Sequence, residues 1–281
     1  MLEVKNLCKR YPAFELKNVS FTLPNGIIMG FIGQNGAGKT TTLKCIMRAV
    51  VPEQGEVFVD GREMLQFEEE NKQVMSFTLG AFDYYRHDKL QKIVSVYKTF
   101  YANWNEEQFA EYCRKFNLDL TKRVKELSAG MKVKFSLALA MSHGAKLFIF
   151  DEPTSGLDPI ARDELLDTFR DIVDEGENSI LFSTHITSDL EKCADYILYI
   201  KNGEIVVNQA KDELLDSHVL VKGGIDEFSD ELKTRVISAK THSFGFTALM
   251  LRENLRSTDN LTTEKPTLED IMVYYNKEGQ Q

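Results

Sequence analysis

The stretch Gly33-Gln34-Asn35-Gly36-Ala37-Gly38-Lys39-Thr40 decides how this chain folds. It fits G-x-x-x-x-G-K-[ST], the spacing of a phosphate-binding loop. A short apolar run over residues 27–32 precedes it, the profile of a buried strand. Leu43, Ile46, Met47 and Val50 follow at i, i+3, i+4 and i+7, one face of a helix. Strand, glycine loop and helix are the context the motif requires. Its glycines let consecutive N–H groups turn toward an anion, and the helix start adds partial positive charge at the same point. Lys39 is then placed to reach the outer phosphates of a nucleotide, and the Thr40 hydroxyl to hold Mg²⁺. The plain alternative is a glycine turn that happens to carry a lysine; the flanking strand and helix count against it.

Composition sets the outer limits. The 281 residues allow one large domain or two smaller ones. With 43% apolar and 27% charged residues, the chain can bury a large core without staples. A formal net charge of −9 argues against a broad nucleic-acid surface, so no nucleic-acid partner is expected. Cys8, Cys45, Cys113 and Cys193 lie far apart with no C-x-x-C pair, which reads as reduced thiols in a cytosolic protein. Met1-Leu2-Glu3-Val4-Lys5 has no signal-peptide core, and no apolar run approaches membrane-spanning length. A membrane role therefore has to come through a partner.

Along the chain, Val19, Phe21 and Leu23 alternate with Ser20 and Thr22, a half-buried strand that Pro24-Asn25-Gly26 turns into the loop strand. Position alone leaves Tyr11 open between a surface or core aromatic and a platform under a purine base. Glu68-Glu69-Glu70-Asn71-Lys72 reads as a solvated charged run without a role, and residues 74–79 as a strand. From about Gly80 helix formers dominate and aromatics are dense, including Phe82, Tyr84, Tyr85, Tyr97, Phe100, Trp104, Phe109 and Phe116. They read as the core of a helical insertion, the later ones especially, with a docking groove for a partner helix as the alternative. Ser128 is a plausible N-cap for the helix that follows. A serine hydroxyl and helix N-terminal N–H groups there also make a candidate second phosphate clamp.

Leu147-Phe148-Ile149-Phe150-Asp151-Glu152 places two carboxylates directly after four apolar residues. A buried parallel strand would deliver them to the sheet edge where ligands bind in open α/β folds. Asp151 is the candidate to hold Mg²⁺ with Thr40, and Glu152 to polarise an attacking water. A second buried strand, Ile180-Leu181-Phe182-Ser183-Thr184, ends in His185 at the same edge, within reach of a γ-phosphate.

Residues 33–40, 127–131, 147–152 and 155–158, with His185, stand in the order and rough spacing of an ABC-transporter ATPase subunit. The resemblance covers residues 1 to about 210. In that family the segments resemble the Walker A loop, the signature, Walker B with its following glutamate, the D-loop and the switch histidine. The resemblance implies ATP and Mg²⁺ as cofactors. It implies nucleotide contacts from residues 33–40 and Thr41 of one subunit and from Ser128, Ala129, Gly130 and Asp158 of a facing one. Tyr11 becomes the adenine-stacking aromatic; Lys39, Glu152 and His185 become the catalytic set. Two features depart from the family. The signature reads Leu-Ser-Ala-Gly-Met rather than Leu-Ser-Gly-Gly-Gln. The family's glutamine near residues 77–80 is absent, where the chain has Phe77-Thr78-Leu79-Gly80; leucine offers no donor or acceptor, so water is expected at that metal position.

The expected fold is α/β. It comprises a RecA-like P-loop NTPase core with an antiparallel β subdomain, a helical insertion over about 81–143 and a short C-terminal tail. The expected domains are 1–215 and 216–281. Asn202-Gly203 marks a hairpin, His218 and Thr247 open tail strands, and Pro266 leads into a helix. The tail resembles those of subunits serving bacterial ABC-2-type exporters of drugs, peptides or antimicrobials. The implied protein hydrolyses ATP and drives transport through separate permease subunits, as a homodimer or heterodimer, peripheral on the inner face of the cell membrane. The alternatives are a soluble ABC ATPase acting on ribosomes or DNA and a nucleotide-binding regulatory module without turnover. A single Walker A loop, no heptad run and acidic charge oppose the first; Glu152 and His185 oppose the second.

Overall fold

The computed structural model describes residues 1–79, 85–174 and 176–277. They form two compact units that divide between Asn208 and Gln209. Gly80, Phe82 and Tyr84, singled out in the sequence, lie outside the described residues.

The first unit opens with two ten-residue strands, β1 (Leu2–Tyr11) and β2 (Phe14–Leu23). The buried strand β3 (Ile28–Ile32) runs into the glycine loop and α1 (Lys39–Ile46). α1 stops short of Val50, because the chain turns at Arg48 with φ 55; Met47 and Val50 pack on the core from outside the helix. β4 (Gln54–Val59) and β5 (Arg62–Glu63) complete an antiparallel sheet of order β2-β1-β4-β5.

The acidic run is not merely solvated. It forms α2 (Glu68–Gln73), whose Asn71 is fully buried and donates through Nδ2 to the carbonyls of Arg62 and Glu63. Then come β6 (Met75–Leu79), α3 (Leu90–Phe100), α4 (Glu106–Lys115) and α5 (Ala129–Ser142). The aromatics divide. Phe109 and Phe116 are buried as core, whereas Phe100 is 72% exposed and Tyr85 49%.

β7 (Leu147–Asp151), α6 (Pro159–Val173), β8 (Ser179–Thr184), α7 (Thr187–Cys193), β9 (Tyr196–Lys201) and β10 (Glu204–Ala210) follow. The main sheet has the order β10-β9-β3-β8-β7-β6, with parallel pairing from β9 through β6. β3, β7 and β8 are buried at every residue, which is why they read as continuous apolar runs and not as alternating ones. Parallel pairing brings their C-terminal ends to one edge. The register sets Leu79 beside Asp151, and Asp151 beside Ser183.

The second unit contains α8 (Lys211–Ser217), β11 (His218–Gly223), α9 (Asp230–Lys233), β12 (Val236–His242), β13 (Gly245–Leu251), β14 (Thr262–Glu264) and α10 (Leu268–Lys277). Its antiparallel sheet runs β12-β13-β11-β14 around a small core of Val219, Val221, Leu232, Phe246, Ala248 and Met250. The sequence reading missed β12 and β14. β14 is exposed throughout, so it has no apolar alternation to detect.

Candidate functional site

The loop between β3 and α1 is shaped by close packing beneath it. Gly38 caps α1 with φ 118, and a Cβ there would come within 2.8 Å of Leu16 and Phe14 side-chain atoms. A Cβ on Gly33 would lie 2.5 Å from the carbonyl oxygen of Ile200. Glycine is therefore required twice, once for backbone conformation and once for space. Ala37 is buried below the loop, while Gln34, Asn35 and Gly36 face out. The first amides of α1 have no intrahelical partner and add their dipole to this rim.

Lys39 is only 6% exposed. Its ammonium donates to the carbonyl of Gly33 at 2.6 Å and stands 3.5 Å from Glu152 Oε1. The Thr40 hydroxyl donates to Asp151 Oδ2 at 2.7 Å, and Ser183 Oγ donates to Asp151 Oδ1 at 2.6 Å. Glu152 has φ 52, a left-handed conformation uncommon for a residue with a side chain. Its N–H donates to Ser183 Oγ at 2.9 Å and to the Ser183 carbonyl at 3.1 Å. His185 Nδ1 is 2.8 Å from Glu152 Oε2. Lys39, Thr40, Asp151, Glu152 and His185 thus form one connected group, assembled from the ends of three adjacent parallel strands.

A cleft of about 390 Å³ opens beside this group. Gln34, Asn35, Gly36, Gly38, Lys39, Thr40, Thr41 and Glu152 line it, with Tyr11 on one wall. Its size suits a nucleotide-sized ligand. Phe14 also lines it, a residue the sequence reading passed over; its place just after Tyr11 across the β1–β2 turn was the available signal.

Ser128, Ala129, Gly130 and Asp158 are not among the residues lining this cleft. Ser128 caps α5 by accepting from the Met131 N–H, and Asp158 caps α6 by accepting from Ile160 and Ala161. Gly130 lies against Leu157 and Ala161, so the two caps occupy neighbouring positions. Behind them, buried Asp189 accepts from Thr154 Oγ1 at 2.7 Å and pairs with Arg162, tying the turn after Glu152 to the helix after His185.

The oxygen set fits Mg²⁺. A hydroxyl and a carboxylate face each other at Thr40 and Asp151, and this ion commonly takes one or two carboxylates plus substrate phosphates and water. No cluster of three or more His, Cys, Asp or Glu capable of holding a metal by itself occurs among the described residues. The protein supplies part of a coordination shell, and a nucleotide would supply the rest.

Comparison with known proteins agrees with this geometry. Residues 16–155 match the ABC transporter family. The lantibiotic transport ATP-binding protein SrtF of Streptococcus pyogenes is 32% identical over 234 residues, spanning 78% of this chain and 98% of SrtF. The ABC transporter ATP-binding protein YtrB of Bacillus subtilis is 27% identical over 227 residues, spanning 80% of this chain and 77% of YtrB. A solved structure of an ATP binding subunit of an ABC transporter superposes with a TM-score of 0.68 at 28% identity, covering 76% of this chain and 91% of that one. With this likeness added to the RecA-like core and the phosphate loop, the chain belongs to the ABC transporter family, as one of its ATP-binding, ATP-hydrolysing subunits.

Proposed function

We propose that this ATPase drives export of a peptide or drug-like cargo through separate permease subunits, working as one half of an ATPase pair. The observation that carries the reading is the convergence of Lys39, Thr40, Asp151, Glu152 and His185 beside a single cleft. Lys39 and the loop amides bind the β- and γ-phosphates, and Tyr11 supports the adenine. Thr40 and Asp151 would hold Mg²⁺, which would supply charge neutralisation at the phosphates. Glu152 accepts a proton from the attacking water, and His185 holds Glu152 and the γ-phosphate in line. Positioning and charge stabilisation supply most of the rate.

Ser128, Gly130 and Asp158 lie outside their own chain's cleft, and Ile160, whose N–H Asp158 caps, is 73% exposed. That supports a second subunit, identical or related, whose loop-bound nucleotide they close over. Among the described residues no helix is long and apolar enough to cross a membrane; the chain acts at the inner face of the cell membrane through its permease partners. The near-complete coverage of SrtF, by its name a lantibiotic transport protein, supports a peptide-like cargo. The second unit is an extension of the ATPase domain.

The test is to recover the tagged chain in mild detergent and identify what accompanies it. Integral membrane chains should co-purify, with Mg²⁺-dependent ATPase activity. Ribosomal subunits or DNA in their place would overturn the transport reading.

A further inference from the structure

Ser183 belongs to none of the loop or carboxylate motifs, yet it touches both acids of the site. We infer that Ser183 is a positioning residue that sets the directions of the Asp151 and Glu152 carboxylates together. The inference rests on the reading of Asp151 as the Mg²⁺-side carboxylate.

Ser183 is fully buried, one residue from the end of β8 and in register with Asp151. A hydroxyl has one proton and two lone pairs. The proton goes to Asp151 Oδ1 at 2.6 Å, and a lone pair accepts the Glu152 N–H at 2.9 Å. Each commitment fixes something different. Occupying Oδ1 leaves Oδ2 as the oxygen that meets Thr40 and the phosphate loop. Without that anchor only the Thr40 hydroxyl holds the carboxylate, about a terminal torsion that is broad for Asp. Accepting the Glu152 N–H holds Glu152 at φ 52. That conformation turns its side chain back toward Lys39 and His185. Strained backbone of this sort persists only where surrounding bonds over-determine it, and here the Ser183 hydroxyl and carbonyl do so together.

The two Asp151 oxygens are held separately: Thr40 donates to Oδ2 and Ser183 to Oδ1. Of the two strands flanking β7, it is β8 that supplies a side-chain hydrogen bond to Asp151 among the described residues.

The experiment is Ser183→Ala, read by calorimetric binding of a non-hydrolysable ATP analogue with and without Mg²⁺. Outer partners of metal ligands are commonly worth roughly tenfold or more in metal affinity. The expected result is unchanged analogue affinity without Mg²⁺, a midpoint for Mg²⁺ raised about tenfold, reduced kcat and little change in KM for Mg·ATP. Ser183→Thr, which keeps the hydroxyl, should restore the Mg²⁺ midpoint. Asp151→Asn is the reference. If it shifts the Mg²⁺ midpoint and Ser183→Ala does not, Ser183 is only a packing residue and the inference fails while the site reading stands. If neither shifts it, Asp151 is not the metal-side carboxylate and both fail. Should Ser183→Ala prove unstable, Ser183→Cys keeps the volume with a weaker donor. Its midpoint should fall between wild type and ten times that value, and a wild-type midpoint overturns the proposal.

Discussion

His185 Nδ1 lies 2.8 Å from Glu152 Oε2, across two neighbouring strand ends, while the other Glu152 oxygen faces Lys39 Nζ at 3.5 Å. The glutamate is held from both sides. Glu152→Gln keeps its shape and a carbonyl oxygen for His185 but removes the base. Nucleotide binding should persist, turnover should fall by roughly a thousandfold, and ATP should trap a dimer visible by size-exclusion chromatography. Hydrolysis near the wild-type rate would mean that another group accepts the proton.

Lys39→Ala removes the buried cation that sits between the Gly33 carbonyl and Glu152. ATP affinity and turnover should both collapse, turnover by a hundredfold or more on the order seen for lost charge-stabilising donors. Binding measured by calorimetry checks this. Unchanged affinity would place the phosphates elsewhere.

Gln73 tests the departure from the family glutamine. Its side chain ends α2 by donating to the Phe100 carbonyl and accepting from the Ala102 N–H, which ties α2 to the end of α3. Gln73→Ala should leave ATPase activity within about twofold while lowering stability by about 1–2 kcal/mol for two lost bonds. Denaturant titration and steady-state ATPase assays separate the two effects. A fall in activity equal to that of Lys39→Ala would make Gln73 a metal contact.

His143 is a pH probe of the insertion. It is buried after α5, stacks on Tyr101 with ring centroids 3.8 Å apart, and lies 3.3 Å through Nδ1 from the Gln73 carbonyl. Burial pulls its pKa down from 6.5 to about 4. The folded state therefore holds the proton less tightly than the unfolded state. Its neutral-form stability is complete above pH 6.5 and is lost as pH falls toward 4. Between pH 7.5 and pH 5 this one residue should cost about 2 kcal/mol. Chemical denaturation of wild type and His143→Phe at both values checks it. An identical acid loss in the two proteins would assign the effect to other groups.

The phosphate loop was legible because its chemistry is contiguous: spacing, glycines, lysine and threonine all lie within residues 33–40. The strands ending at Asp151 and Thr184 were legible for a related reason. Strands covered on both faces leave unbroken apolar runs, and polar residues mark where they reach the sheet edge. Phe14 and Asn71 were not. Phe14 matters through the cleft wall it shares with Tyr11, and Asn71 through carbonyls that its own helix folds over. The second unit was half legible, since β13 carries an apolar pattern and the exposed β14 none.

The sequence by itself determined the strand–loop–helix unit, the placement of two carboxylates and a histidine at strand ends, and the family resemblance. Local spacing and the burial of whole strands dictate these. Only the tertiary structure decided which groups meet. Parallel register sets Asp151 beside Ser183, and the left-handed turn at Glu152 aims its side chain between Lys39 and His185. It also left Ser128 and Asp158 outside the cleft of their own chain. The reason is physical: hydrogen bonds between residues 31 to 111 positions apart depend on strand order and register, and neither is written in any local run of sequence.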